Sequence, residues 1–250
     1  MRVKKGGIKM SLNAMEQRLM ELLSPNTATP ISKIASSLYV SETTARRYVR
    51  ALAARGLVIR THGGCMAGSA VPDANTPMHV RFSSEQEDKR RIAAYAAQLI
   101  PAGGIIFLDS SSTAFQLVQF LSPEQNLTVV TSGLKTATAL AERNVKVICP
   151  GGAVHPSNLS MNSAFAIQSV EQFNADVFFF SGDALSDEGE ITDNSYEECL
   201  LRRALMRRAD KNILLVDPTK RGKRCRYKLC TLADVDFCIT TDGEAAFVLK

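Results

Sequence analysis

The chain has 250 residues, 45% of them hydrophobic and 22% charged. This is globular composition, at a length that suits two domains and needs neither disulfides nor structural metals to build a core. Charge is uneven: residues 1–64 carry 11 Lys and Arg against 3 Asp and Glu, and the remainder carries 19 against 22. A basic head on a mildly acidic body points the head at a polyanion. The longest apolar stretch, near Val177–Phe180, is far too short for a membrane span, and no apolar leader core follows the basic N-terminus. The six cysteines form no CxxC pair, and His62, His79 and His155 lie at no ligand-like spacing. Reduced thiols in a cytoplasmic protein are expected, with no metal and no cofactor.

In chain order, residues 1–9 read as an upstream extension or an arm before Met10. Met15, Leu19, Leu22 and Leu23 then follow the spacing of a buried helix face. Thr29-Pro30 reads as an N-cap and first-turn proline, opening a second helix with Ile31, Ile34, Ala35 and Leu38 inside. Only Tyr39 and Val40 separate it from Ser41, the N-cap of a third helix that buries Ala45, Val49 and Leu52. Val40 is placed to pack on Ala45 as a hydrophobic staple. Two helices joined by so short a turn make a helix-turn-helix. The third helix then exposes Thr43, Thr44, Arg46, Arg47 and Arg50, hydroxyls and guanidinium forks that suit a major groove. Leu57–Arg60 reads as a strand and Thr61–Gly64 as a turn, a wing that brings Arg60 and His62 near the DNA backbone. His62 reads equally as a plain surface residue. The winged head spans 10–64 and a Gly, Ala, Ser and Pro-rich linker spans 65–76.

From residue 77 onward, helical pattern resumes around Lys89–Ile100 and apolar runs alternate with helices. Ile105–Leu108, Leu127–Val130, Val145–Ile148, Val177–Phe180, Ile213–Val216 and Phe237–Thr240 are the expected strands; the helices fall near Thr113–Leu121, Lys135–Arg143 and Glu197–Arg208. Such alternation predicts a mostly parallel, Rossmann-like α/β sheet covered on both faces over 77–250. Ligands of such sheets bind at strand C-termini. Those positions hold Asp109, Ser110, Ser111, Ser112 and Thr113 after the first strand, Thr131 and Ser132 after the second, Gly151 and Gly152 after the third, and Gly182 and Asp183 after the fourth. The first of these loops runs into a helix, where hydroxyls and amides can hold an anion. Any one of these loops alone reads as an ordinary turn.

The run Ser41–Leu52, Gly56-Leu57 and Arg60–Gly64 resembles the DeoR family of bacterial repressors. The resemblance continues through Phe107–Ser110, Thr128–Thr131, Ala139–Glu142, Gly151-Gly152, Gly182-Asp183, Gly189 with Thr192, and Asp217 with Lys220. It implies a sensor domain related in fold to sugar-phosphate isomerases, binding a phosphorylated sugar or similar small effector. On that implication Ser110–Thr113 hold a phosphate, Asp109 and Asp183 bond sugar hydroxyls, and Lys220 neutralises phosphate charge. Within Thr219–Arg224, Lys220 also reads as one of several solvated loop cations. The chain departs from the family's usual residues at Tyr39 (Gly), Tyr48 (Asp), Ser111 (Gly), Ser132 (Asn), Ala184 (Gly) and Arg202 (Lys). A DNA-binding homo-oligomeric repressor that binds an operator duplex follows from this reading. The alternative is a sugar-phosphate isomerase or deaminase with an incidental basic head, using Asp183, Glu188 or Asp193 as base.

Overall fold

The computed structural model describes residues 13–24, 27–54, 57–61, 63–67, 81–82, 85–241 and 246–247. The chain forms two compact units, residues 1–69 and 70–250.

The first unit holds three helices and a small sheet: α1 (Ala14–Leu22), β1 (Thr29–Pro30), α2 (Ile31–Leu38), α3 (Glu42–Ala54), β2 (Val58–Thr61) and β3 (Gly64–Ala67). Asn13 caps α1 in a reciprocal capping box with Glu16. The three helices bury Leu19, Ile34, Ala45, Val49 and Leu52 in one core, with Val40 packed against it. Leu22, expected on the buried face of α1, is instead exposed. The opening of α2 also differs from expectation. Pro30 is itself the cap, without a side-chain bond, and Thr29–Pro30 pair with β3. A backbone bridge to the wing replaces the threonine cap, and the Ile31 N–H donates to the Gly63 carbonyl at 2.8 Å.

The wing is the three-stranded sheet β1-β3-β2. Cys65, Met66 and Ala67, expected in the linker, are instead strand, paired with Arg60, Ile59 and Val58. Cys65 and Met66 are buried, which is why strand pairing in the wing outweighs their small-residue context. His62 and residues 68–76, where the remaining linker was expected, lie outside the described residues.

The second unit is a seven-stranded sheet with helices on both faces. Its strands are β4 (Gly104–Leu108), β5 (Leu127–Thr131), β6 (Lys146–Ile148), β9 (Ala175–Phe180), β12 (Ala209–Leu215), β14 (Phe237–Ile239) and β15 (Ala246–Phe247), and all but the last run parallel. The flanking helices are α4 (Gln86–Ala96), α5 (Leu134–Glu142), α6 (Ala164–Val170) and α7 (Tyr196–Arg207). Short antiparallel pieces complete it: a hairpin of β7 (Val154–His155) and β8 (Ser160–Met161), and a small sheet of β10 (Ala184–Leu185), β11 (Glu190–Asp193) and β13 (Tyr227–Thr231). Successive residues of the apolar strands serve opposite faces. Ile106, Leu108 and Phe179 enter one core, and Phe107, Phe178 and Phe180 enter the other.

The spatial order is β15-β14-β12-β9-β4-β5-β6. From β4 the chain moves outward through β5 and β6, then returns to β9 on the other side of β4 and continues through β12 and β14. The winding thus reverses between β4 and β9, the place where a parallel sheet opens a crevice at its C-terminal edge. One expected helix takes a different form: Ala114–Phe120 is a seven-residue 3₁₀ segment, not an α-helix from Thr113.

Candidate functional site

In the first unit, α3 exposes Thr43, Arg46, Arg47 and Arg50 while Thr44 is half-buried. Ser41 caps the helix, its Oγ accepting the Thr44 N–H at 3.2 Å and lying 3.0 Å from the Thr44 hydroxyl. These two hydroxyls hold the helix start as well as facing outward. Arg46 pairs with Glu42 at 3.2 Å with both side chains about half exposed, so the pair orients the guanidinium and adds little stability. The Arg47 guanidinium sits 5.8 Å from the Tyr48 ring, the aromatic that stands where an acid was expected. Arg46 and Arg50 of α3 and Arg60 of β2 line one small cleft with Thr61, Gly63 and Gly64. Helix and wing cations therefore converge on a common groove. Gly64 permits the tight wing, because a Cβ there would collide with the Thr29 carbonyl oxygen.

Tyr39, in the turn, has φ 55 and ψ 42 and is 95% exposed. The turn does require the left-handed conformation, and a non-glycine residue adopts it here at a cost.

In the second unit, a cleft of about 300 Å³ opens at the β4/β9 reversal. Of the expected effector residues, Ser110, Ser111, Ser112, Gly182, Asp183 and Lys220 line it. Lys220 is a cleft residue and not a solvated loop cation: its ammonium donates to Ser181 Oγ at 2.7 Å and lies 3.9 Å from Asp217.

The other expected effector residues do not line the cleft. Asp109 lies beneath it, with both oxygens engaged: Oδ1 accepts the Ser111 N–H at 3.0 Å, and Oδ2 accepts the Ser181 N–H at 3.0 Å and Arg202 Nε at 2.9 Å. It holds the β4 and β9 ends together, its oxygens turned to protein donors and not to a sugar hydroxyl. Thr113 is fully buried behind its loop. Thr131, Ser132, Gly151 and Gly152 belong to the ends of β5 and β6. There the β7–β8 hairpin folds over the edge: Leu134 N–H donates to Leu159 O, and Met161 N–H to Ser132 O, both at 2.9 Å. The Thr131 hydroxyl accepts the Gly133 N–H, and Gly151 and Gly152 take positive φ against Phe165 and Ser163. The hairpin closes the crevice on the β5 side, and the cleft runs instead past the ends of β4 and β9 to Asp217 and Lys220 after β12.

The expected helix-end anion site is also altered. Besides the Ser111 amide held by Asp109, the Ala114 amide donates to Ser111 Oγ at 3.1 Å. Ser111 thus uses its own hydroxyl to fill part of the backbone cradle.

The structure also brings to the cleft Arg81, Lys89, Asn158, Asn194 and Glu198, which no sequence motif marked, and Arg202, marked only as a departure from the family's usual residue. Arg202 is 5% exposed and bonded to Asp109, to Asp193 at 2.8 Å and to Glu198 at 3.5 Å. Burial pushes the Asp193 carboxyl up to about 6, with Arg202 opposing and Asp183 adding to the rise. Burial works against the Arg202 charge, but Asp193, Asp109, Glu198 and Asp183 outweigh it and hold the proton more firmly still. Glu198 Oε1 accepts from Asn158 (2.6 Å), Ser160 (2.5 Å) and Asn162 (3.1 Å), and Oε2 from Ser110 at 3.3 Å. Asp183 receives Arg81 at 3.2 Å and the Asn194 side chain at 3.1 Å. Burial opposes its charge, but Arg81, Lys220 and Arg202 outweigh that and keep its carboxyl below the usual range. Lys89, 4% exposed, donates to the Arg81 carbonyl at 2.8 Å. Burial, with Lys220 nearby, brings its ammonium down to about 8.

The sequence did carry a signal for Lys89, Glu198 and Arg202. Lys89 shares the stripe of Ile92, Ala93 and Ala96, and Glu198 and Arg202 share that of Leu201 and Leu205. A charge at a buried period position needs a partner inside.

Comparison with known proteins agrees with both units. Residues 16–70 match the model of the DeoR-like helix-turn-helix domain, and residues 84–242 match that of the DeoR C terminal sensor domain. The chain is 31% identical over 226 residues to the HTH-type transcriptional regulator GolR of Listeria innocua, covering 90% of this chain and 89% of that one. It is 29% identical to the HTH-type transcriptional repressor CsqR of Escherichia coli, covering 92% and 88%. It is 26% identical to the glycerol-3-phosphate regulon repressor of the same organism, covering 93% and 92%. Among the described residues no helix is long and apolar enough to cross a membrane. With a winged helix-turn-helix in one unit and a parallel α/β sensor in the other, this chain belongs to the DeoR family of DNA-binding transcriptional regulators.

Proposed function

We propose that the chain is a repressor that docks α3 in the major groove of an operator, with Arg46, Arg47, Arg50 and Thr43 as its reading surface and Arg60 on the backbone. The observation that carries this is the convergence of Arg46 and Arg50 with the wing's Arg60 on one groove. Pairing of two heads on adjacent half-sites makes a homo-oligomer the expected binding form. The effector is a small phosphorylated sugar or polyol in the cleft, its hydroxyls on Asp183 and Asn194 and its charge near Lys220. The name of the glycerol-3-phosphate regulon repressor supports that ligand class. Of the carboxylates that an isomerase would use, Asp193 is committed to Arg202, and Asp183, whose burial is outweighed by the cations around it, is held below the usual range and is a weak base. Glu188 is exposed and does not line the cleft.

The test is operator binding as a function of salt. Replacing Arg46 and Arg47 together by Ala should weaken binding by at least tenfold, since each contact to a base edge is worth about 1–3 kcal/mol. Unchanged affinity and an unchanged salt slope would remove α3 as the reading helix.

A further inference from the structure

Among the described residues, Tyr39 stands apart from the other large side chains at the surface. It is 95% exposed, where the next, Phe165, is 63% exposed. It also holds φ 55, a conformation that glycine enters freely and that a residue with a Cβ enters at a cost. The turn fixes that conformation through the backbone: Tyr39 N–H donates to the Ser36 carbonyl at 3.2 Å, and Val40 N–H to the Ala35 carbonyl at 3.0 Å. Val40 then packs on the core of the first unit, while the Tyr39 ring is left in water. The ring adds no packing to the fold that would offset the strain. Backbone strain of this kind collects where a side chain serves binding.

Its place in the fold says what it can bind. In a helix-turn-helix the recognition helix presents its N-terminal residues to the base edges of the major groove, while the helix before it crosses the phosphate backbone. Tyr39 lies in the turn between the two, two residues before Ser41, the cap of α3. The outer face of α2 leads up to it with Ser32, Lys33, Ser36 and Ser37, all exposed. From Ile31 to Ser41 there is no carboxylate, and the first acid after them, Glu42, is paired with Arg46. The face that runs into Tyr39 is therefore made of hydroxyls and one cation, with no acid to repel a phosphate. The phenol hydroxyl is a neutral donor at the end of a long, rigid arm with two torsions to immobilise.

We propose that Tyr39 is a DNA-backbone contact: its hydroxyl donates to a phosphate oxygen at the edge of the groove that α3 occupies, and so fixes the register of α3 without reading a base. This rests on α3 being the reading helix. Two marks set the contact apart from those of the arginines. A neutral donor releases no condensed counterion, so it adds affinity without adding to the salt dependence. The phosphate is the same at every base pair, so the gain is equal on every sequence.

The experiment is fluorescence anisotropy of the full chain on two duplexes over a series of salt concentrations. One duplex is selected by the native chain from a randomised pool, and the other is the same duplex with its sequence scrambled. Native protein is compared with Tyr39→Phe, with Tyr39→Gly and with the double variant Arg46→Ala, Arg47→Ala, each checked for folding by urea unfolding. Tyr39→Phe should weaken binding to both duplexes by the same factor, about threefold to tenfold, at an unchanged salt slope. Tyr39→Gly should weaken it at least as much while its urea midpoint rises, a pairing that a purely structural role would not give. Native affinity in both Tyr39 variants, with weaker binding by the arginine variant, overturns the role of Tyr39 alone. A loss confined to Tyr39→Gly puts the effect in the ring or the backbone and overturns the hydroxyl contact. A loss on the selected duplex only means a base contact and overturns the backbone assignment. Native affinity and slope in the arginine variant remove α3 as the reading helix, and this proposal with it.

Discussion

Tyr39 and Lys89 each hold a state that their surroundings penalise, one a backbone conformation and the other a charge. Tyr39 adopts the left-handed conformation at φ 55 with its ring almost wholly in solvent, so nothing about its side chain offsets the backbone strain. Tyr39→Gly should therefore stabilise the first unit by roughly 0.5–1 kcal/mol, read as a higher urea midpoint at unchanged slope. Lys89 is the opposite case, a charge held where burial penalises it. Its folded value of about 8 lies below the ordinary 10.5, so between these values the unfolded chain binds the proton more tightly. The cost of the buried ammonium is fully present below pH 8, and stability from this group rises as pH climbs from 8 to 10.5. An anionic ligand favours the charged form. Its affinity should be flat below pH 8 and fall by up to tenfold per unit above it, against the charges of Arg81, Glu85, Asp217 and Lys220 that face the group. Titration calorimetry of native chain and Lys89→Met from about pH 7 to about pH 10 separates this from other titrations, since the variant should lack the fall.

At the scale of elements, α7 binds the site together. It supplies Glu198 and Arg202 one turn apart, and they reach the ends of β4 and β11 and the β7–β8 hairpin. A buried ion cluster of this kind gives geometry more than stability, because desolvation offsets most of the attraction. Removing its guanidinium is a different matter. Arg202→Met leaves Asp109, Asp193 and Glu198 buried together, and should cost on the order of 3–5 kcal/mol in chemical denaturation of the second unit. A loss below about 1 kcal/mol would mean that the carboxylates relax into solvent or protonate. The hairpin acts by exclusion: by covering the end of β5 it removes Ser132 and Thr131 from any ligand.

For the molecule as a whole, the reversal of winding between β4 and β9 decides where a ligand can sit, and the helix-turn-helix decides where DNA can. If the two sites are coupled, the coupling is reciprocal: operator DNA must change effector affinity by the factor by which effector changes operator affinity. Once a binding probe is found, titrating it against free and operator-bound chain should return that same factor. A shift in one direction with none in the other is thermodynamically inadmissible for a single binding-linked equilibrium and would point to a separate effect on oligomeric state.

The parts of this protein that local chemistry governs were legible in the chain. The stripe of Ala45, Val49 and Leu52 after a two-residue turn defines α3 and its exposed arginines, and the apolar runs define six parallel strands, because periodicity and capping act over a few residues. The candidate site was legible only by half. Ser110, Asp183 and Lys220 stand at strand ends and loops, where composition marks them; Thr131, Ser132, Gly151 and Gly152 carry the same mark and lie away from the cleft. Sequence alone determined the head, the sheet and the family's pattern. Only the tertiary structure decided that the reversal between β4 and β9 opens one crevice, that a hairpin closes the β5 side, and that Arg81, Lys89, Glu198 and Arg202 meet inside it from segments far apart in the chain. The reason is physical: partners of buried charges are chosen by packing across the sheet, and no local spacing encodes which distant helix will supply them.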